Sequence, residues 1–312
     1  MSIAHILPFS KKEGTMKQSK RAIVIFMAPA VILFMIVYFY PVIRTTLMSF
    51  FNVQSVSSTV DTWSFAGLQN YFKLFNTQLY ITSLKNIGKI WVFSGIATLG
   101  IALLLAMILT QGLKMQKFFR AVIYMPNVIA AVAVGYMWLL YVFNNRFGML
   151  KGLFTSLGWE SMANFQWLSG ENMFLAMNIA YCFSNAGYFM LMYIAAIEKI
   201  SPDYYESATL DGANVFQRFF FITLPLIKGV LGTSLVLYTT KTIGFFALAQ
   251  VFSNVSTYTP MLYTYQTLFG SEISAESMNA GVAAASALVM TLLATVASQV
   301  LKSAVKDENY EV

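Results

Sequence analysis

Charge is scarce in this sequence: Asp, Glu, Lys and Arg together make up 11% of 312 residues, where soluble domains carry about 25%. With 58% hydrophobic residues as well, the chain has too little polar surface to cover itself in water. That excludes an ordinary soluble globule and points to hydrocarbon as its solvent. Cysteine occurs once, at Cys182, and histidine once, at His5, which excludes an internal disulfide and a histidine metal cluster. No Gly-x-x-x-x-Gly-Lys-Ser/Thr run is present, so the chain has no phosphate-cradling loop of its own, and His-Glu-x-x-His and Gly-x-Ser-x-Gly are missing too. No catalytic residue and no metal ligand is expected. The net charge of +7 does not form the aromatic-interleaved stripe of a nucleic-acid binder, because the basic residues sit in short segments between apolar runs.

What is present is a set of long apolar runs. A helix needs about 20 mostly apolar residues to cross ~30 Å of hydrocarbon, and six stretches qualify: Ala22 to Ile43, Ile90 to Thr110, Ala121 to Phe143, Phe174 to Ile197, Leu226 to Leu248, and Asn279 to Leu301. The expected fold is an all-α integral membrane domain over 22–301, with a basic leader at 1–21 and a short tail at 302–312. The first run is longer than the ~7–15 residue core of a signal peptide and no small-residue cleavage site ends it, so it reads as a retained anchor.

Alternate flanks differ in charge. One set holds Lys11, Lys12, Lys17, Lys20, Arg21, Lys114, Lys117, Arg120, Lys199, Arg218, Lys228, Lys302 and Lys306, thirteen in all; the other holds Arg44, Lys73, Lys85, Lys89, Arg146 and Lys151, six in all. Lys241, inside a run, completes the twenty. The positive-inside rule then places both termini in the cytoplasm. The outward segment from Arg44 to Asn86, with Trp63, Tyr71, Phe72 and Phe75, is expected to pack on the outer surface.

Between the fourth and fifth runs lies a polar stretch with helix signals. Ser201 suits an N-cap, Pro202 the first helical position, Asp203 and Glu206 the positive end of the dipole, and Gly212 the left-handed residue that ends a helix. A helix of about three turns is predicted, followed by an amphipathic segment from Val215 to Thr223 that Pro225 breaks. A plain interfacial helix would account for Phe216, Phe219, Phe220 and Arg218, but not for the punctuation around them. The two helices would form a knob able to press into a cleft on another protein.

Glu206-Ser207-Ala208, then Gly212, then Ile222-Thr223-Leu224-Pro225 resembles the EAA loop of binding-protein-dependent ABC importer permeases, E-A-A, three residues, G, nine residues, I-x-L-P. Ser207 departs from the pattern, one small residue for another. Phe118-Phe119-Arg120 leading to Pro126, then Trp138 and Phe147-Gly148, is similar to the middle of maltose-type and multiple-sugar permeases. Pro29 through Pro41 looks like the first span of the larger member of the permease pair. The resemblance implies a type I ABC importer permease fold in a bacterial plasma membrane. It implies a coupling helix in which Glu206, Ser207, Ala208, Asp211, Gly212, Leu224 and Pro225 meet a separate ATPase dimer that binds ATP and magnesium. The implied partners are a second homologous permease and an extracytoplasmic solute-binding protein, and the implied cargo is a carbohydrate.

Polar side chains inside the spans mark where a substrate could touch. Helical spacing brings Asn178, Tyr181, Asn185 and Tyr188 to one side of the fourth run. Amides beside aromatic rings suit a sugar, although interhelical hydrogen bonding takes the same residue types. By resemblance, Thr240, Lys241 and Gly244 of the fifth run would line the sugar site, with Lys241 where related permeases carry an amide. Lys241 could meet an acidic sugar unit, an acidic residue of the second permease, or the interface by snorkelling. The run from Asn279 to Ser286 is rich in small residues and fits close helix packing, within the chain or against the partner. A self-sufficient secondary carrier is the competing class; it would be expected to carry intramembrane carboxylates, and none of the six runs holds Asp or Glu.

Overall fold

The computed structural model describes residues 20–170, 172–270 and 278–304; the parts of the expected leader and tail at 1–19 and 305–312 lie outside them. Two compact units divide the chain, Met1–Leu47 and Met48–Val312.

The first unit holds most of helix α1 (Ile23–Ser49). Proline at position 41 removes one helical N–H, and the backbone widens just ahead of it: Met35–Phe39 form a π-turn in which the Tyr40 N–H donates to the Met35 carbonyl. The wider turn draws the preceding carbonyls away from the ring, so the helix continues.

The second unit opens with a two-stranded hairpin, β1 (Phe51–Asn52) against β2 (Ser64–Phe65), antiparallel with Phe51 opposite Phe65. There follow α2 (Gln69–Asn76), α3 (Gln78–Leu109), α4 (Gln116–Val128), α5 (Ala131–Val142), α6 (Met149–Ser156), α7 (Asn172–Ile197), α8 (Pro202–Leu210), α9 (Val215–Leu226), α10 (Lys228–Ile243), α11 (Ala247–Phe252), α12 (Pro260–Phe269) and α13 (Ala280–Ala304). Among the described residues, α1, α3, α7 and α13 are each long and apolar enough to cross a bilayer, and the bent pairs α4 with α5 and α9 with α10 pass the same test together. The structure thus offers up to six crossings, as expected, but two of them are not straight.

The expected span Ala121 to Phe143 is two helices meeting at 99°. Ile129 is extended, with ψ 141°, and Ala130 follows it with ψ 129°, three residues past Pro126. Each arm is about 18–20 Å long at 1.5 Å per residue, too short to cross alone. The expected span Leu226 to Leu248 is corrected in the same sense. Helix α10 ends at Ile243, the chain leaves helical geometry at Gly244 to Phe246, and Leu248 belongs to α11.

Helices α3 and α7 form the spine of the core, with Ala102, Ala106, Ala176 and Ala180 fully buried beside Ile90, Met177, Phe189 and Met190. Because lipid tails are as apolar as leucine, such helices hold together by close packing and interhelical hydrogen bonds. Both are visible. The Tyr193 and Ser234 hydroxyls are 2.7 Å apart, Trp91 Nε1 donates to Thr239 Oγ1 at 2.9 Å, and the Tyr238 hydroxyl donates to the Ile90 carbonyl at 3.1 Å. Gly187 of α7 lies against the backbone of α4: a Cβ there would overlap the Ile123 carbonyl oxygen and come within 2.8 Å of the Tyr124 Cα.

The small-residue start of α13 packs within the chain. Ala280 through Ser286 are all buried, the Ala280 and Gly281 N–H groups donate to the Gln54 and Val53 carbonyls at 3.2 and 3.0 Å, and the Ser286 and Thr264 hydroxyls are 2.7 Å apart. Two otherwise orphaned helix N–H groups are thereby satisfied by the hairpin segment. Asn70 of α2 secures that segment, donating through Nδ2 to the Ser49 and Phe51 carbonyls. Trp63 packs beside Phe51 and Tyr71 reaches Ser49 Oγ, whereas Phe72 and Phe75 stay exposed.

Candidate functional site

The polar stretch between α7 and α10 folds as a tight elbow, and local chemistry accounts for each turn of it. Ser201 caps α8, its Oγ accepting the Asp203 N–H at 3.4 Å, with Pro202 at the first helical position. At the other end Gly212 takes φ +81°. Its N–H donates to the Thr209 carbonyl at 3.0 Å and the Ala213 N–H to the Ala208 carbonyl at 2.9 Å, the paired bonds of a Schellman ending. Helix α9 then begins with a reciprocal cap: Asn214 Oδ1 accepts the Gln217 N–H at 2.9 Å and Gln217 Oε1 accepts the Asn214 N–H at 2.8 Å. The Asn-x-x-Gln spacing is a sequence-readable capping signal, and it is absent from the expectations above. Replacing Asn214 with Ala should destabilise the elbow by about 1 kcal/mol, read as faster protease cleavage between 210 and 220 with cleavage elsewhere unchanged.

Two cross-links hold α8 and α9 together. The Tyr205 hydroxyl lies 2.9 Å from Thr223 Oγ1, and Arg218 Nη1 donates to Thr209 Oγ1 at 2.9 Å. Pro225 does not break α9, contrary to expectation. Phe219–Thr223 form a π-turn, with the Leu224 N–H on the Phe219 carbonyl, and the chain stays helical through Pro225 to Leu226. The 70° bend falls instead at Ile227, a residue 1% exposed that joins α9 directly to α10. At the tip Glu206, Ser207, Asp211 and Gly212 are exposed, and Leu210 is 90% exposed. Ala208 and Leu224 are half-buried and Pro225 exposed. Beneath the elbow a cleft of about 440 Å³ is bordered by Glu198, Tyr205, Glu206, Arg218 and Thr223. Beside it Arg120 Nη2 meets Glu198 Oε1 at 2.6 Å, bringing the start of α4 and the end of α7 to the same side. A half-exposed pair of this kind contributes less than about 1 kcal/mol.

The polar residues of α7 do not share one environment. Asn178 is buried, accepting from Ser94 Oγ of α3 through Oδ1 and donating to the Phe174 carbonyl at 2.6 Å. Tyr181 is 4% exposed, edge-on to Phe245 and Tyr238 and 3.4 Å from Thr242 Oγ1. These two bind helices together. Asn185 and Tyr188 are only half-buried, with Asn185 Nδ2 on the Tyr181 carbonyl at 3.0 Å.

Helix α10 shows an exposed stripe, Thr233, Leu237, Thr240, Lys241 and Gly244, opposite a buried face that includes Tyr238, Thr239 and Thr242. Lys241 joins the two helices, its Nζ standing 3.8 Å from the Tyr188 ring centroid and 5.7 Å from that of Phe189. Such cation–π pairs are worth about 0.5–2 kcal/mol. Lys241 also lies in the last turn of α10, where the helix dipole favours a cation. Beyond it the irregular backbone is secured by the Phe245 carbonyl, which accepts from Thr259 Oγ1 at 2.8 Å, and by the Phe245 N–H, which donates to the Thr242 carbonyl at 3.0 Å. Non-helical backbone at membrane depth is tolerated only where it is buried in protein or lines a water-filled cavity, and Gly244 is exposed on this chain. Toward the elbow the same faces of α7 and α10 border a groove of about 380 Å³ lined by Met192, Ala195, Lys199, Leu226 and Val230.

Membrane-length helices, two further crossings bent, and a polar elbow between two spans define a multi-pass membrane component. The chain belongs to the family described as binding-protein-dependent transport system inner membrane component, whose sequence model matches residues 98–306. It is 29% identical over 279 residues to the probable starch degradation products transport system permease protein AmyD of Thermoanaerobacterium thermosulfurigenes, 88% of this chain and 90% of AmyD. It is 28% identical over 184 residues to the diacetylchitobiose uptake system permease protein NgcF of Streptomyces coelicolor, a match that takes in 56% of this chain and only 52% of NgcF. In fold it is similar to a chain of a bacterial ABC transporter involved in the import of the acidic polysaccharide alginate, with TM-score 0.77, 21% identity, and coverage of 93% of this chain and 96% of that one.

Proposed function

We propose that this chain is a non-catalytic permease subunit of an ATP-driven carbohydrate importer in a bacterial plasma membrane, with both termini cytoplasmic. It pairs with a second homologous permease, rests on an ABC ATPase dimer that binds ATP and magnesium, and accepts an oligosaccharide from an extracytoplasmic solute-binding protein. The named relatives are permeases of a diacetylchitobiose uptake system and of a probable starch degradation products transport system, which supports the cargo class. The observation that carries the reading is the elbow. Its exposed tip around Leu210 has the form of a knob for a partner's cleft, and its base runs through one buried residue, Ile227, into the helix that bears Thr240, Lys241 and Gly244. Side-chain bonds tie α8 to α9, so ATPase closure would tilt α10 and turn the face of Asn185, Tyr188 and Lys241 from one side of the membrane to the other. Cysteine placed at Ala208 or Asp211, in a Cys182→Ser background, should cross-link to the ATPase in the reconstituted complex, with a yield that changes between nucleotide-free and ATP-trapped states. Absence of any ATPase adduct in every state would overturn the proposal.

A further inference from the structure

We propose that the path selects a saccharide bearing a carboxylate, and that Lys241 is the residue that recognises it; the inference rests on the carbohydrate reading above and narrows it. The first observation is a missing partner. Lys241 forms no ion pair with any described carboxylate, the only described ion pair being Arg120 with Glu198, and no Asp or Glu lies in α3, α7, α10 or α13 to supply one. A lysine within a membrane-crossing helix is retained when its charge is matched by a partner or by what passes through.

The second observation is that the ammonium is held in place. A lysine with nothing to do can extend along its four-carbon stem toward the headgroups, but Nζ is seated over the Tyr188 ring, with Phe189 behind it. Aromatic rings stabilise the cation without consuming its three donors as a carboxylate would. The third observation is the company it keeps. Asn185 and Tyr188 are half-buried on α7, Tyr188 beneath the ammonium. Thr240 and Gly244 are exposed one turn apart at the end of α10, the Thr240 hydroxyl donating to the Val236 carbonyl at 3.0 Å and lying 3.4 Å from Ser298 Oγ of α13. Hydroxyl, amide and aromatic groups are what a sugar ring needs for hydrogen bonding and stacking; the ammonium is the one feature a neutral sugar leaves unused.

The test uses the intact reconstituted complex without binding protein and two probes of one shape, tetragalacturonate and its methyl ester, which keeps the hydroxyls and removes the charge. Wild type should bind the acid at least about tenfold more tightly than the ester, the size expected for one charge-assisted contact, and the difference should shrink as salt rises. Lys241→Asn should lose that preference, acid binding falling about tenfold more than ester binding, and Lys241→Arg should keep most of it. Equal wild-type affinity for both probes overturns carboxylate selection and leaves the carbohydrate path standing. Binding of neither probe by a complex that hydrolyses ATP overturns recognition of a uronate by Lys241, while failure to bind neutral oligosaccharides as well overturns the carbohydrate reading itself. If Lys241→Asn fails to assemble while Lys241→Arg assembles, the charge belongs to a contact with the second permease, and the proposal is overturned.

Discussion

Gly187→Ala should nearly abolish transport, although it adds only a single methyl group and faces α4, away from the elbow. The added Cβ would overlap the Ile123 carbonyl oxygen and crowd the Tyr124 Cα. Both are backbone atoms of α4, so no side chain can rotate away. Relief requires moving α4 off α7, which also strains the bond from Asn127 Nδ2 to the Ser184 carbonyl. Overpacking in a well-packed core costs about 1–3 kcal/mol, and an obstacle made of backbone belongs at the upper end. Gly100→Ala is the matched control: it is also helical, a Cβ there meets nothing within 4 Å, and removing glycine from a helix interior gains roughly 0.5–1 kcal/mol. In purified protein the first variant should melt well below wild type and the second at or slightly above it. Equal melting of the two would show that α4 and α7 do not cross as closely as described.

That crossing was not legible in the sequence, and the reason is physical. Hydropathy and length locate apolar helices because burial in lipid needs an uninterrupted run; α7 and α13 follow the expected runs to within a few residues, whereas α3 begins at Gln78, well before the expected Ile90 and inside the stretch expected to pack on the outer surface. Ile129 and Ala130, however, are as apolar as their neighbours, and nothing in their side chains records that the backbone there is extended. The break after Ile243 is hidden for the same reason, since Phe245 and Phe246 continue the apolar run. Helical spacing correctly set Asn178, Tyr181, Asn185 and Tyr188 on one side of α7, but it carries no information on depth. Ser94 and Thr242 take the first two into packing, while the last two stay half-buried. The elbow was legible because caps are local: Ser201-Pro202 and Gly212 act through their own backbone, and the structure places each in its expected role.

The elbow and the lysine are joined by one continuous run of chain. From Gly212 the backbone passes through α9, bends at Ile227 and rises along α10 to Lys241. The buried face of α10 is tied to α7 by Tyr193 and Ser234 and to α3 by Trp91 and Thr239. A tilt of α10 would therefore carry the inner bundle with it, while Gly244 to Phe246 is where helical continuity, and with it stiff transmission, ends. The proline-linked π-turn at Phe219–Thr223 keeps α9 helical up to that bend, so the angle is set at one buried residue and is not spread along the helix.

Substitutions at Gly212 should therefore separate force transmission from folding. A Cβ at this position meets nothing within 4 Å, so no effect can come from crowding; what remains is the left-handed φ of +81°. Residues with a Cβ pay roughly 1–2 kcal/mol there, asparagine less than the others because its short amide tolerates that region. Residual uptake in the reconstituted importer should thus fall in the order Gly, Asn, Ala, Val. Gly212→Val is expected to lose about tenfold or more, since 1.4 kcal/mol corresponds to a factor of ten in the fraction of correctly shaped elbow. Gly212→Pro should be worse again, because it also removes the N–H donated to the Thr209 carbonyl. Membrane content should stay near wild type throughout, the elbow lying outside the spans, and ATP hydrolysis should persist without matching transport. Valine transporting as well as glycine, or asparagine failing as badly as valine, would show that the left-handed corner is not what joins the elbow to the membrane helices.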